Sequence, residues 1–150
     1  MIYIGSDHAG YERKQEIEAY LKGKGEDVVD LGVFAAEPPM DYPDIAHEVA
    51  EKVRQTHGAR GILVCGSGVG MCMTANKKHG IRAVHGERND SVEMSRKHND
   101  ANILCLGARM LSKEESFQFI DTFLSTEFEA GEERHVRRVD KIEPAAQPHA

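Results

Sequence analysis

Residues 61–70 read Gly-Ile-Leu-Val-Cys-Gly-Ser-Gly-Val-Gly, a short apolar run followed by alternating glycines. An unbroken apolar run of this length predicts a strand that is buried on both faces, as strands of parallel sheets are. The glycines after Cys65 predict a sharp turn into a helix, because glycine adopts backbone angles that other residues avoid. A buried strand that turns directly into a helix is the repeating unit of α/β folds.

The same order of strand and helix recurs along the chain. Strands are predicted at 2–4, 28–31, 61–64, 81–84 and 103–106. Helical patterns follow them: one ends at Gly23 or Gly25, one starts at Asp44 as its N-cap, two cover 71–79 and 89–98, and a last long helix runs from a cap at Ser112 to Leu124. No hairpin turn joins two strands. The pattern therefore predicts an α/β protein with a three-layer αβα Rossmann-like fold and a five-stranded parallel sheet.

Length and charge limit the classes of protein and partner. The 150 residues fit one domain, predicted to cover 1–143, with a disordered tail at 144–150. The 25 acidic and 19 basic residues give a net charge of −6, which argues against a nucleic acid or an anionic membrane as the main partner. No apolar run is long enough for a signal peptide or a membrane span. The three cysteines form no CxxC pair and suit reduced thiols, so we expect a cytoplasmic protein.

Polar residues follow several of the predicted strands. Asp7 and His8 come after the first strand, Cys65–Gly70 after the third and Gly107–Met110 after the last. In parallel sheets the functional site lies beyond the carboxyl ends of the strands, so these segments are the candidate site. The glycine turn can receive an anion on its N–H groups, but it lacks the Gly-Lys-Ser/Thr of a P-loop and the spacing of a dinucleotide fingerprint.

Cys65 is the candidate reactive group. Its thiol follows a buried strand and faces a helix N-terminus, whose field favours the thiolate. A thiolate there could be a nucleophile or a general base, and the turn beside it could hold an enediolate or an acyl oxyanion. The residues alone also allow a cysteine that was selected only for its size.

Histidines and arginines form a second group of candidates, made up of His8, His98, Asn99, Arg109 and the cluster Arg134, Arg137 and Arg138. In an acidic protein such a concentration of cations suits a phosphate group. The other histidines are interpreted as surface residues: His47, His57, His79, His85, His135 and His149. No HExxH or Cys/His metal spacing occurs, so the sequence predicts chemistry without a metal or another cofactor.

Several motifs together resemble the ribose-5-phosphate isomerase B family, which includes the galactose-6-phosphate isomerase subunits. The resemblance extends from Ile2 to about Ile142. It rests on residues 5–10, 41–43, 65–70, 75–77, 80–83, 95–100, 107–109 and 134–138. One branch of the family carries Glu at the position of Met71. Since methionine cannot act as a base, this sequence resembles the branch that uses the cysteine.

The resemblance implies a reaction and a role for each matching residue. Cys65 would take a proton from carbon 2 of an open-chain sugar phosphate and return it to carbon 1 through a cis-enediolate. His98 would open the furanose ring with the help of Asp7. Backbone N–H groups of the turn would hold the enediolate oxygens; these belong to Gly66, Gly68, Val69 and Gly70.

The remaining roles concern binding and assembly. Ser67 would bond the reacting oxygens, Tyr42 would line the site, and Asn99 would be a further substrate contact. The residues that resemble the phosphate ligands are His8, Arg109, Arg134 and Arg138. Arg138 is preferred to Arg137 because Arg-x-x-x-Arg presents both arginines on one helical face. The resemblance also implies an active site between two subunits, hence a homodimer that could pair into a tetramer.

Three alternatives stay open at this point. The substrate could be a hexose phosphate, as in an allose-6-phosphate or galactose-6-phosphate isomerase. The chain could bind a phosphorylated sugar or nucleotide without turning it over, which the set of Cys65, His98 and Asp7 argues against. It could also be a covalent thiol enzyme such as a hydrolase, in which Cys65 would carry an acyl group.

Overall fold

The computed structural model describes residues 1–143, which form five strands and six helices. The predicted tail at 144–150 lies outside the described residues. In chain order the elements are β1 (Ile2–Ser6), α1 (Tyr11–Gly23), β2 (Val28–Asp30), α2 (Tyr42–Gln55), β3 (Arg60–Cys65), α3 (Val69–Ala75), β4 (Ala83–His85), α4 (Asn89–Asn99), β5 (Ile103–Gly107), α5 (Lys113–Ser125) and α6 (Glu133–Asp140).

All five strands pair in parallel, in the order β2-β1-β3-β5-β4. The strand β3 lies at the centre, where Val64 is beside Ser6 of β1 and Cys65 is beside Gly107 of β5. The predicted αβα fold with a five-stranded parallel sheet is therefore confirmed. The carboxyl end of β3 brings Cys65 to the middle of the sheet edge.

Two hydrophobic cores lie on opposite faces of the sheet. Ile62 and Val64 of β3 pack with α1, α4 and α5, whereas Leu63 and Cys65 pack with α2 and α3. This division follows from the alternation of side chains along a strand. It directs the side chain of Cys65 to the face where α3 begins.

The predicted N-cap of the second helix at Asp44 is wrong by three residues. The helix α2 starts at Tyr42, after Asp41 as its N-cap and with Pro43 in its first turn. Proline is tolerated there because the first N–H groups of a helix have no partner inside it. Tyr42 is consequently held at a helix start instead of in the preceding loop.

The predicted cap of α5 is confirmed, but α5 is not the last helix. Ser112 accepts a hydrogen bond from the Glu115 N–H, and the Glu115 side chain accepts one from the Ser112 N–H. The helix α6 follows and was missed because it is short and mostly charged, with Val136 and Val139 as its two apolar residues; His135 is its one buried residue. None of the helices within 1–143 combines the length and the apolarity that crossing a membrane requires.

Candidate active site

A cleft of about 360 Å³ lies at the carboxyl edge of the sheet. It collects most of the residues that sequence reasoning assigned to the reaction or to the substrate. These residues come from the turns after β1, β3 and β5 and from the start of α2, and they are Asp7, His8, Tyr42, Cys65, Gly66, Ser67, Gly70 and Arg109. Gly68 and Val69 belong to the same turn as Cys65.

Cys65 is buried, with 4% of its surface exposed, and is the last residue of β3. Its Sγ accepts a hydrogen bond from the N–H of Gly68 at 3.0 Å. The turn therefore holds the sulfur in one position at the start of α3.

Gly68 gives the turn its shape. Its φ is +81°, a left-handed conformation that side chains other than glycine rarely adopt. A Cβ there would also lie 2.9 Å from the backbone carbon of Leu106, on the neighbouring strand. Any other residue would force the turn to shift, and the shift would move the Gly68 N–H away from Cys65 Sγ.

The N–H groups next to Cys65 are available to a ligand. Those of Gly66 and Ser67 donate to no group within the described residues 1–143, while the Val69 N–H donates to Ser67 Oγ at 3.3 Å. Unpaired N–H groups beside a helix start attract negatively charged oxygen. The turn thus offers an oxyanion a set of donors next to the thiol.

Two glycines of the turn allow the side chains of Arg109 and Tyr42 to lie close to the backbone. A Cβ on Gly66 would lie 3.1 Å from Nη1 of Arg109, and a Cβ on Gly70 would lie 2.6 Å from the Tyr42 ring. The guanidinium and the phenol therefore lie directly over the glycine turn. Both are exposed on their other side, where a substrate could approach.

Asp7 and His8 line the same cleft from the end of β1. Asp7 Oδ1 accepts a hydrogen bond from the Gly10 N–H at 3.0 Å, which fixes the carboxylate at the turn into α1. His8 is half-buried, and its Nδ1 is buried without a hydrogen-bond partner among the described residues. A buried polar nitrogen without a partner is costly, so a ligand that bonds His8 would stabilise this loop.

His98 and Asn99 lie at the opposite edge of the sheet. They are the last two residues of α4. The turn that follows lies at the amino ends of the strands, because the Asn102 N–H donates to the Arg82 carbonyl and the Asn102 carbonyl accepts from the Gly61 N–H. Between the positions of Gly61 and Cys65, β5 advances four residues. At about 3.3 Å for each residue, the two edges are about 13 Å apart.

The remaining predicted arginines belong to α6, which packs beside α4. At 100° for each residue, Arg134 and Arg138 lie about 40° apart, and Arg138 lies about 60° from His135, the buried residue of α6. Arg137 lies about 160° from His135. Arg138 therefore shares a helix face with Arg134, and its contact with a phosphate stays a prediction.

Two histidines that were interpreted as surface residues are not. His85 is half-buried; its Nε2 lies 2.7 Å from the carbonyl oxygen of Ser67 and its Nδ1 lies 3.2 Å from Glu87. His135 is 5% exposed and stacks on His98, with ring centroids 4.3 Å apart. The position of His85 at a strand end was a signal that could have identified it, whereas His135 has no such local signal.

The other thiols are on the same face of the sheet but outside the cleft. Burial, followed by a hydrogen bond to Cys72, raises the pKa of the Cys105 thiol well above its ordinary value. The same hydrogen bond lowers the pKa of Cys72. Cys105 packs as a small hydrophobic residue. Cys72 is only half-buried, so alkylation experiments on Cys65 need a Cys72 variant as control.

Comparison with known proteins places this geometry in a family. The profile of the Ribose/Galactose Isomerase family matches residues 2–142. Ribose-5-phosphate isomerase B of Escherichia coli (strain K12) is 41% identical over 141 residues, which are 94% of this chain and 93% of the relative.

Solved structures with the same fold lead to the same family. Ribose-5-phosphate isomerase B of Clostridium thermocellum is 46% identical with a TM-score of 0.89, covering 94% of this chain and 93% of that one. The enzyme of Mycoplasma genitalium with bound ribulose-5-phosphate is 44% identical with a TM-score of 0.89, covering 94% and 92%. The family profile and these structures match nearly the whole chain, and the chain belongs to the Ribose/Galactose Isomerase family.

Proposed function

We propose that this protein is a ribose-5-phosphate isomerase that interconverts D-ribose 5-phosphate and D-ribulose 5-phosphate. The observation that carries the proposal is the Cys65 thiol, held by the Gly68 N–H at 3.0 Å beside the unpaired N–H groups of Gly66 and Ser67. The isomerase domain is residues 1–143, and its place is the cytoplasm.

The cleft suits the proton transfer that aldose–ketose isomerisation needs. The Cys65 thiolate takes the proton from carbon 2, and the electron pair of that C–H bond becomes the carbon–carbon double bond of a cis-enediolate. The thiol then returns the proton to carbon 1, while the hydroxyl proton moves from the oxygen on carbon 2 to the oxygen on carbon 1, so that the carbonyl is left at carbon 2. Negative charge on the enediolate oxygens meets the N–H groups of Gly66 and Ser67, which strengthens binding as charge develops.

Ring opening needs groups that Cys65 does not supply. The closed furanose has no carbonyl that could acidify the carbon 2 proton, so an acid must protonate the ring oxygen while a base takes the anomeric hydroxyl proton. His98 is the proposed acid, since an imidazole changes charge near neutral pH. Asp7 is the proposed partner, fixed by its bond from Gly10.

The phosphate group is bound by cations at the rim. His8 and Arg109 line the cleft with Cys65, and Arg134 and Arg138 belong to the same edge as His98. Tyr42 and Asn99 contact the sugar. Phosphate binding far from the reacting carbons orients the substrate and adds affinity that can be used in the transition state.

The distance between Cys65 and His98 supports a site made by two subunits. Both groups must reach one five-carbon sugar, yet they lie at edges about 13 Å apart along the strands, with the sheet and its cores between them. In a two-fold homodimer, the Cys65 cleft of one subunit can face the His98 edge of its partner. We therefore propose a homodimer with two equivalent sites.

The proposal is tested by turnover and by hydrogen exchange together. The purified protein is assayed with the 5-phosphates of ribose and ribulose and the 6-phosphates of allose and galactose, in deuterated water. We expect turnover of the pentose phosphates, with solvent deuterium at the carbon that receives the proton. A ligand-induced rise in melting temperature without turnover would identify a binding protein instead. Preferred turnover of a 6-phosphate would identify a hexose phosphate isomerase. An acyl adduct on Cys65 would identify a hydrolase.

A further inference from the structure

Three potential metal ligands converge at the end of α4. His98 Nε2 lies 3.9 Å from Glu129 Oε2, and His135 Nε2 lies 3.2 Å from the same oxygen. All three ligand atoms lie within 4.8 Å of one another, and within the described residues 1–143 this is the one such group of three. Two imidazoles and one carboxylate are ligands that zinc and similar divalent ions prefer.

The nitrogen of His135 points to an unfilled position. Its side chain is 94% buried, and its Nε2 makes no hydrogen bond within residues 1–143, although Glu129 Oε2 lies 3.2 Å away. A buried ring nitrogen without a partner is normally avoided in proteins. A metal ion between His135, Glu129 and His98 would satisfy it.

The backbone fixes where these ligands begin. The Glu129 N–H donates to the carbonyl of Lys97, one residue before His98. The His135 N–H donates to the carbonyl of Glu132 at the start of α6, and its ring stacks on His98 with an angle of 19° between the planes. The three side chains are thus brought together by the turn between α5 and α6.

The spacing is close to that of a zinc site. With bonds of about 2.0–2.1 Å to nitrogen and oxygen, two ligands of a tetrahedral zinc ion lie about 3.3 Å apart. The pair of His135 and Glu129 already matches this spacing. His98 and Glu129 have exposed side-chain fractions of 32% and 40%, so a small rotation of either can close the remaining gap. The fourth position would be left to water.

We propose that His98, Glu129 and His135 bind a divalent transition-metal ion of the zinc class. An ion bound to the His98 imidazole would inactivate the enzyme, because His98 could then no longer act as an acid. This second statement rests on the proposed function, in which His98 opens the sugar ring. Since the Cys65 chemistry needs no metal, the ion would be an inhibitor and not a cofactor.

Metal binding is tested without reference to activity. Cobalt(II) is added to the metal-free protein and its visible absorption is recorded, then zinc(II) is added to displace it. We expect one cobalt ion for each chain with a tetrahedral spectrum, and an affinity at least about tenfold lower in Glu129→Gln and in His135→Gln. His57→Gln, a substitution of an exposed histidine, is the matched control and should bind normally.

Cys65 is the competing explanation, because thiolates also bind these ions. Cys65→Ser should retain the cobalt spectrum, and loss of the spectrum in that variant would overturn the proposal. Equal cobalt affinity in the wild type and in Glu129→Gln would also overturn the proposal. Because the Glu129 side chain is 40% exposed, Glu129→Gln should fold even if His135→Gln does not.

The effect on activity is measured separately. Zinc(II) should inhibit isomerisation, an excess of EDTA should reverse the inhibition, and EDTA alone should leave activity unchanged. Inhibition should need at least about tenfold more zinc in Glu129→Gln. Metal binding without inhibition would refute the role of His98, whereas absence of turnover in the metal-free protein would refute the proposed function and leave the binding result intact.

Discussion

Two inactive variants should restore activity when they are mixed. Cys65→Ser removes the proposed base and His98→Asn removes the proposed ring-opening acid, so each homodimer lacks one group in both sites. In a mixed dimer one site carries both substitutions and the other carries neither. The expectation follows from the separation of about 13 Å between the two edges of the sheet and from the proposed homodimer, in which each site combines one edge from each subunit.

The expected recovery can be stated as a fraction. If equal amounts exchange subunits at random, half of the dimers are mixed and half of their sites are intact, so activity should reach about one quarter of the wild-type value. Mixed dimers isolated with two different affinity tags should reach about one half. Subunit exchange is driven by dilution or mild denaturant and followed by the tags.

A second mixture is the control. The double variant Cys65→Ser/His98→Asn is mixed with wild type, so that each site of a mixed dimer lacks one of the two groups. Shared sites predict inactive mixed dimers, whereas sites within one chain predict dimers with half the activity. Mixed dimers that behave in the second way, or inactive mixtures of the two single variants, would refute the two-subunit site.

Three further variants test the cleft and its rim. Cys65→Ser should keep the fold and phosphate-sugar binding but lose nearly all turnover, because a hydroxyl is far less acidic than a thiol; turnover within about tenfold of wild type would exclude Cys65 as the base. Gly68→Ala should lower the free energy of unfolding by more than Gly58→Ala. Both glycines have positive φ, which costs an alanine about 1–2 kcal/mol, but of the two only Gly68 has backbone atoms within 3 Å of the added Cβ. Equal losses of stability in chemical denaturation would contradict the steric argument. Arg138→Ala should weaken substrate binding by about 1.5–3 kcal/mol and so raise KM more than it lowers kcat, while Arg137→Ala should change KM little. Inhibition by inorganic phosphate gives the same comparison, and equal inhibition of both variants would show that Arg138 does not bind the phosphate.

The strands and most helices were predictable because their signals are local. The apolar run before Cys65 and the capping pair of Ser112 and Glu115 each determine structure within a few residues. The start of α2 was missed because an N-cap at Asp44 is the simplest interpretation of that segment. The alternative needs Pro43 inside the first turn, and only packing of Tyr42 over Gly70 favours it.

The polar supports of the site were less predictable. His135 lies between Arg134 and Val136 in a mostly charged segment, and nothing local indicates that α4 will cover it. Its burial depends on the contact between α4 and α6, which are separated by β5 and α5 along the chain. Val136 and Val139 are the two apolar residues of α6, and a pattern this short does not mark a histidine as buried.

The division of the site between two edges follows from a rule that holds for every parallel sheet. A residue directly after a strand lies at the carboxyl edge, and a residue at the end of the following helix lies at the amino edge, since helix and strand run in opposite directions. Asp7, Cys65 and Arg109 follow strands, while His98 and Asn99 end a helix. A substrate that touches both sets must therefore bridge two edges of one sheet or two copies of the chain. The strands at the centre of the sheet have five and six residues, and this separation supports the proposal that the two sets come from two copies of the chain.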